Sequence, residues 1–367
     1  MDVNAQKAGS NSQQFQVQNL TIGIDEKRVR EIYDEKFLIT KKEFTEEAIR
    51  IANGRVKELE NRLISKIKVE NEGMELFMDP SFQLLLVEAQ KSAAATERPA
   101  DYDLLSELLI HRIKSGADRK IRTGINRAVE VVGEISDEAL LGLTVAHSVP
   151  LFMPVSGDIL QGFDALNNLF GKIIYGNLPM GNNWLDHLDL LDSIRISQFG
   201  KFNSIEHIYT HALDGYVRCG IKKDSDNYRK AIDILQKNGL VASGILVDHV
   251  LNPGYVRVNV LNEFSINKLV FQKNGNPYDI IYLSSQQENA IKSLYTLYSD
   301  DDIIKKQVVK SFMDLWITYA NLKKLKEWWE SIPTAFVITS VGEVLAHANI
   351  QRCDSNLGYQ LRSNYNG

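Results

Sequence analysis

His207 and His211 stand four residues apart in SIEHIYTHAL, so on a helix both imidazoles would point the same way. Two such rings are the beginning of a metal site, with a third ligand on offer from Asp186, His187 or Asp189. The spacing is not that of H-E-x-x-H, because Glu206 precedes the first histidine instead of following it. Two boundary histidines on a solvated helix face explain the same residues without a metal, and the sequence assigns neither a metal nor any other cofactor.

A second cluster is basic. HRIKSGADRKIRTGINR carries Arg112, Lys114, Arg119, Lys120, Arg122 and Arg127 against Asp118 alone, a density of cations that can hold phosphates. Lys222, Lys223, Arg229 and Lys230 form a smaller group further on. The alternative is a solvated or protein-facing helix surface. Covalent catalysis has no visible foothold: the chain lacks G-x-S-x-G, and neither Cys219 nor Cys353 sits in a recognisable nucleophile setting. It also lacks G-x-G-x-x-G and G-x-x-x-x-G-K-[ST], so a nucleotide would have to bind by a route without a short motif. The enzyme question stays open and leans towards no.

The elements that must carry these residues centre on 79–146. Asp79 and Pro80 suit a helix entry. Leu84, Leu85, Leu86, Ala89 and Ala93 fit its buried face, and Glu97, Arg98 and Pro99 end it. A second helix from about Asp101 repeats Leu104, Leu105, Leu108, Leu109 and Ile113, leaving Glu107, His111 and Arg112 off the stripe. Ile121, Ile125, Val129 and Val132 mark a third. Ser136 caps a fourth, with Asp137 and Glu138 in its first turn. Four short amphipathic helices with tight connections predict a bundle.

On the amino-terminal side, FQVQNLTIGI alternates apolar and polar residues. Phe15 and Val17 share one parity, and Leu20, Ile22 and Ile24 the other. A lone strand needs a partner, either a later sheet of this chain or the same strand of another subunit. A helix from Thr45 to about Ile67 carries Ile49, Ala52, Val56, Leu59 and Leu63, a seam able to pack within the subunit or across an interface. Residues 147–200 are rich in Gly and Pro. Within them DILQGFDALNNLFGKII predicts one amphipathic helix, and NLPMGNNWLDHLDLLDSIRIS a turn and another.

From about residue 223 the pattern changes. SDNYRKAIDILQKNGL predicts a helix closed by Asn238 and Gly239. Val256, Val258 and Val260 alternate as in a strand, and Asn274-Gly275 marks a hairpin. Ser285 with Glu288 suggests a capping box. A helix ending in Gly-Leu and followed by a hairpin is the outline of a winged helix. Residues 301–330 predict the longest helix, Pro333 ends it, AFVIT predicts a strand, and Ser340 with Glu343 predicts a capped helix.

The chain of 367 residues has a formal net charge of -5, which argues against wholesale coating of nucleic acid but not against a local basic patch. Two distant cysteines suit a reducing cytoplasm. A polar start and the lack of a long apolar run predict no signal peptide and no transmembrane helix.

The run from DPSFQLLLVEAQKSAAATERPADYDLLSELLIHRI to SDEALLGL is similar to the core of Abi-alpha-like bacterial proteins, and LQKNGL and YLSSQQENAI resemble that group's Gly-Leu step and strand-to-helix close. With AGSNSQQFQVQNLTI, the chain also resembles bacterial proteins of mobile and defence-associated gene neighbourhoods. The resemblance covers about half the chain, in patches. It implies a cytoplasmic bacterial protein of abortive infection or phage defence, and it supplies no catalytic residues.

The expectation is an α+β protein, mainly α: a helical bundle with a winged-helix-like α/β module and a short N-terminal β arm. Its predicted divisions are a strand arm at 1–24, a long-helix region at 25–72, a bundle at 73–222, the module at 223–300, and a long helix with a strand and helix at 301–367. The function expected first is a non-enzymatic protein that assembles into homo-oligomers through Phe15, Val17, Leu20, Ile22 and Ile24, while the bundle binds a protein partner. The rivals are a nucleic-acid-binding module, and an enzyme or nucleotide sensor without a linear motif, which would need a pocket of convergent polar groups.

Overall fold

The computed structural model describes residues 30, 31, 34, 46–70, 77–114, 118–197, 200–272 and 280–357. The arm at 15–24 and the Asn274-Gly275 turn lie outside them. The described part is α+β and mainly α, as the sequence pattern predicts.

Helix α1 (Glu46–Glu70) is the longest described element. It buries Ala52, Val56, Leu59 and Leu63 against α2 (Pro80–Ala95) and α3 (Pro99–Lys114), within the subunit. Asp79 caps α2 by accepting from the Ser81 amide, with Pro80 at the first helical position. Asp118 caps α4 (Arg119–Val131) and Ser136 caps α5 (Asp137–Leu151). Then follow α6 (Ile159–Ile173), α7 (Asn183–Leu190), β1 (Ile194–Ile196), α8 (Ile205–Ala212) and the single turn α9 (Asp214–Val217).

The module that follows runs β2 (Ile221–Lys222), α10 (Asp226–Lys237), α11 (Ala242–Ile245), β3 (Leu246–Asp248) and β4 (Tyr255–Val258). Gly239 ends α10 at φ +67, a conformation that costs glycine little. The three strands form an antiparallel sheet in the order β2-β4-β3. A 3-10 helix (Glu263–Lys268) leads to β5 (Val270–Gln272), which pairs with β6 (Ile280–Tyr282) in the expected hairpin. Helix α12 (Ser285–Ser293) and a 3-10 turn (Leu294–Leu297) close the module. The chain then returns to the body as α13 (Asp302–Trp316), α14 (Ala320–Ser331), β7 (Phe336–Ile338) and α15 (Ser340–Cys353), with β7 pairing antiparallel to β1.

Three expectations are corrected. The helix predicted over 301–330 is two helices, broken at Ile317–Tyr319. The indole N–H of Trp316 donates to the Leu322 carbonyl (2.8 Å), so the chain folds under the ring. The apolar seam continues across the break and imitates one helix. Both strand-to-helix joins cap one residue early, on Ser284 with Gln287 and on Thr339, because an N-cap keeps extended backbone and so falls on the last strand-like residue. The bundle is also not self-contained. Helix α15 packs among α3, α4 and α5, so residues from 25–72, 73–222 and 301–367 share one core that reaches from Ala52 to Ala348. A second, smaller core lies within residues 221–294.

The two cores meet around Arg257. Val256 and Val258 point into the module, and the opposite face of β4 lies against the helical body, so Arg257 is buried there. It donates to the carbonyls of Gly215 (3.3 Å), Val258 (3.1 Å), Val260 (3.3 Å) and Gly157. Its guanidinium lies 5.3 Å from the Tyr216 ring centroid. The Tyr216 hydroxyl donates to Asp158 O (3.2 Å) and to Ser156 O in the loop before α6. A Cβ on Gly215 would come within 2.5 Å of Val260 O, so only glycine permits this approach.

Candidate functional site

Beside this knot a cavity of about 700 Å³ opens between the body and the module. Helix α8 forms one wall. Ser204 caps it, and Ile205 and Tyr209 turn inward, with the Tyr209 hydroxyl donating to Val149 O (3.2 Å). That leaves His207 and His211 on the opposite side, where both line the cavity with rings nearly parallel and centroids 6.5 Å apart. The shared direction expected from their spacing is present. The third ligand is not: Asp186, His187 and Asp189 ride on α7, which packs against α5 and β1. His187 Nε2 accepts from the Ser136 amide (3.2 Å), and Asp189 faces Arg195 (4.0 Å). Among the described residues no three His, Cys, Asp or Glu groups are arranged to hold a metal ion.

The floor is built from α9 and the residue after it. Arg218 Nε and Nη2 both donate to Asp214 Oδ2 (2.9 and 2.7 Å), and Nη2 also reaches Glu263 Oε2 (3.2 Å). The guanidinium stacks over Tyr295, 4.4 Å from its centroid. Burial opposes the charge on Arg218, but the bond to Asp214 and the charges of Asp214, Tyr295 and Glu263 together outweigh it and the pKa moves up. This fixes Asp214 Oδ2 and leaves Oδ1 uncommitted. Among the described residues, Asp214 Oδ1 and the Tyr295 hydroxyl are both buried without a hydrogen-bond partner, and both residues line the cavity. Burial pushes the Tyr295 hydroxyl up, so it is a donor. The neighbouring Tyr298 is pushed up to about 12 by burial, and its oxygen accepts from the Val258 amide (2.7 Å).

The remaining lining is mixed in charge. Lys305 pairs with Asp300 (2.6 Å) and Asp302 (3.2 Å), which raises the amine and lowers Asp300. Burial raises Cys219, so the cavity's sulfur is a thiol and not a thiolate nucleophile. Two residues of the lining thus hold an uncommitted acceptor, Asp214 Oδ1, and an uncommitted donor, the Tyr295 hydroxyl.

The basic stretch does not form one open face. Arg112 is 2% exposed and donates to Asp79 Oδ2 (3.2 Å) and Ser81 Oγ (3.3 Å), which corrects its place among the phosphate contacts: α3 is buried nearly all round, so a residue off the leucine stripe is still inside. Arg127 pairs with Glu130 (2.8 Å) and faces Asp192 (3.7 Å). Lys114, Arg119 and Lys120 are exposed where α3 ends and α4 begins, and Arg122 is half-buried there. Phe15, Val17, Leu20, Ile22 and Ile24 lie outside the described residues.

Sequence reasoning missed Asp214, Arg218, Tyr295 and Arg257. The first two carried a usable signal, since an acid four residues before a base on one helical turn is an ion-pair spacing. Arg257 was disguised by the alternation of YVRVNV, which places it opposite Val256 and Val258 on what reads as a solvent face. Tyr295 comes to the cavity through tertiary packing alone.

Among the described residues no helix is long and apolar enough to cross a membrane. No curated protein and no solved structure matches the chain. One family model, of a family without an assigned function, matches residues 23–361, and the chain belongs to that family.

Proposed function

We propose that this chain is a non-enzymatic binding protein, a sensor that takes a small polar molecule into the cleft between its helical body and its β module. One observation carries the reading: Asp214 Oδ1 and the Tyr295 hydroxyl are an uncommitted acceptor and donor on two residues that line a single cavity, and a buried hydrogen bond left unmade is costly. A ligand that binds only the folded state raises its stability. The test compares thermal unfolding of freshly purified chain with chain stripped of small molecules by unfolding and refolding. The fresh protein unfolds at higher temperature, and deproteinised cell extract restores the difference. Asp214→Asn with Tyr295→Phe abolishes it. An equal response in that variant refutes the site.

The resemblance to Abi-alpha-like proteins leads us to propose that such sensing serves bacterial phage defence, with homo-oligomers assembled through residues 15–24 as its output. Nucleic-acid binding is the second reading. It is favoured by the strand order β2-β4-β3 with two helices between β2 and β3, an order compatible with a winged helix. Helix α11 is a single turn, short for a recognition helix. This reading predicts duplex binding that weakens steeply with salt and with Arg119→Glu, Arg122→Glu. Binding unchanged by either would remove it.

A further inference from the structure

Helix α15 sits at the centre of the body, yet it carries polar groups into the core. Asn349 donates to Thr144 Oγ1 of α5 (2.8 Å) and to the Tyr175 hydroxyl (3.2 Å). Arg352 Nε donates to Asn349 Oδ1 (2.8 Å). Two residues before this network, the His347 ring meets His111 of α3, with centroids 5.2 Å apart and planes inclined by 57°. His147 of α5 acts on His347 as well. Three imidazoles from three helices therefore gather where α15 docks.

Among the described residues, the charged groups that act on these rings include the rings themselves and Lys114 of α3, and helices α4 and α6 and strand β7 also pack on α15. All three rings are held neutral by burial. His111 and His147 are brought down to about 4 and His347 to about 3, with Lys114 adding to the fall at His111, and His111, His147 and Lys114 adding to it at His347.

We propose that His111, His147 and His347 form an acid latch on the C-terminal helix: on taking up protons they release α15 from α3 and α5 while the rest of the body stays folded. The sign follows from linkage. A released, solvated ring binds a proton near the ordinary value of 6.5, and a docked ring refuses it until far lower pH. Docking therefore weakens as pH falls below 6.5, and the loss is complete for His111 and His147 near 4. A proton on one ring also repels protons on the others and the Lys114 amine, so the latch opens as a unit. Release uncovers the groove between α3, α4 and α5 that α15 fills.

The test is amide hydrogen exchange of the full chain at neutral pH and at about pH 4.5, corrected for the intrinsic rates, with α13 and α10 as internal references. Protection of α15 falls by about 10-fold or more beyond that of α13 and α10. Glutamine keeps a polar side chain but takes no proton, so His347→Gln shrinks this excess. His147→Gln, at a more exposed position, does the same and serves where His347→Gln does not fold. Loss of protection in α15, α13 and α10 together is ordinary acid unfolding and overturns the latch. So does an undiminished acid response in the glutamine variants.

Discussion

Arg218 and Arg257 flank the same four-residue helix, α9, and are held in opposite ways. Arg257 is buried, meets no carboxylate, and its Nη1 and Nη2 donate to four backbone carbonyls from the loop before α6, from α9 and from the exit of β4, with Nε left buried without a partner. Arg218 is part-exposed, grips Asp214 and Glu263, and lies on a tyrosine ring at the edge of a cavity. The first arrangement leaves little for a ligand and much for the fold, since carbonyls cannot move without the chain. The second holds one carboxylate oxygen fast, frees its twin, and sets a buried hydroxyl nearby. A cation clamped by backbone marks structure here, and a cation that orients an uncommitted carboxylate marks a site.

Substitution separates the two. Arg257→Met strips four carbonyls of a donor and is expected to cost about 3 kcal/mol or more in urea unfolding, whereas Arg218→Met, at a partly screened pair, costs about 1 kcal/mol or less. Equal costs would erase the distinction. Next in size is an effect of acid. His249 is buried behind the cleft with Nε2 bonded to Arg218 O (2.8 Å), and burial holds it down to about 4. The unfolded chain takes this proton below 6.5, so stability falls as pH drops from 6.5 towards 4, by roughly 2–3 kcal/mol. His249→Gln should remove that share of the pH dependence. An unchanged slope would mean that the ring is solvated.

Tyr295→Phe is expected to shift stability by about 0.5 kcal/mol or less once ligand has been removed, since its hydroxyl makes no bond within the chain, and Asp214→Asn, which also weakens the pair with Arg218, by about 1 kcal/mol or less. A large loss would turn the cleft into a second structural knot. Deletion of residues 1–24 should lower the assembly state seen by light scattering. An unchanged mass removes the arm from the assembly proposal.

Much of the fold was legible because caps and periodicity are local. Asp79, Ser136 and Gly239 mark ends that the structure keeps, and the alternation around Val256 and Val258 gives a strand. What was not legible depends on which surface covers which. The stripe of α3 hides that Arg112 is inside, and nothing near His347 tells that it meets His111 more than 200 residues away (347 against 111). The seam from Val308 to Trp329 survives a chain break because packing, not helix continuity, keeps it in line. The cleft assembles residues from 207 to 309 through the return of the chain to the body, so only His207 and His211 announced themselves.

Native mass spectrometry of the full chain, freshly purified, puts the cleft to the most direct trial. Wild type should carry one small-molecule adduct per chain, and the double variant Asp214→Asn, Tyr295→Phe should fly bare at the same folded charge states. A bare wild type, or an adduct that survives unchanged in the variant, would contradict ligand binding at the Asp214–Tyr295 cleft.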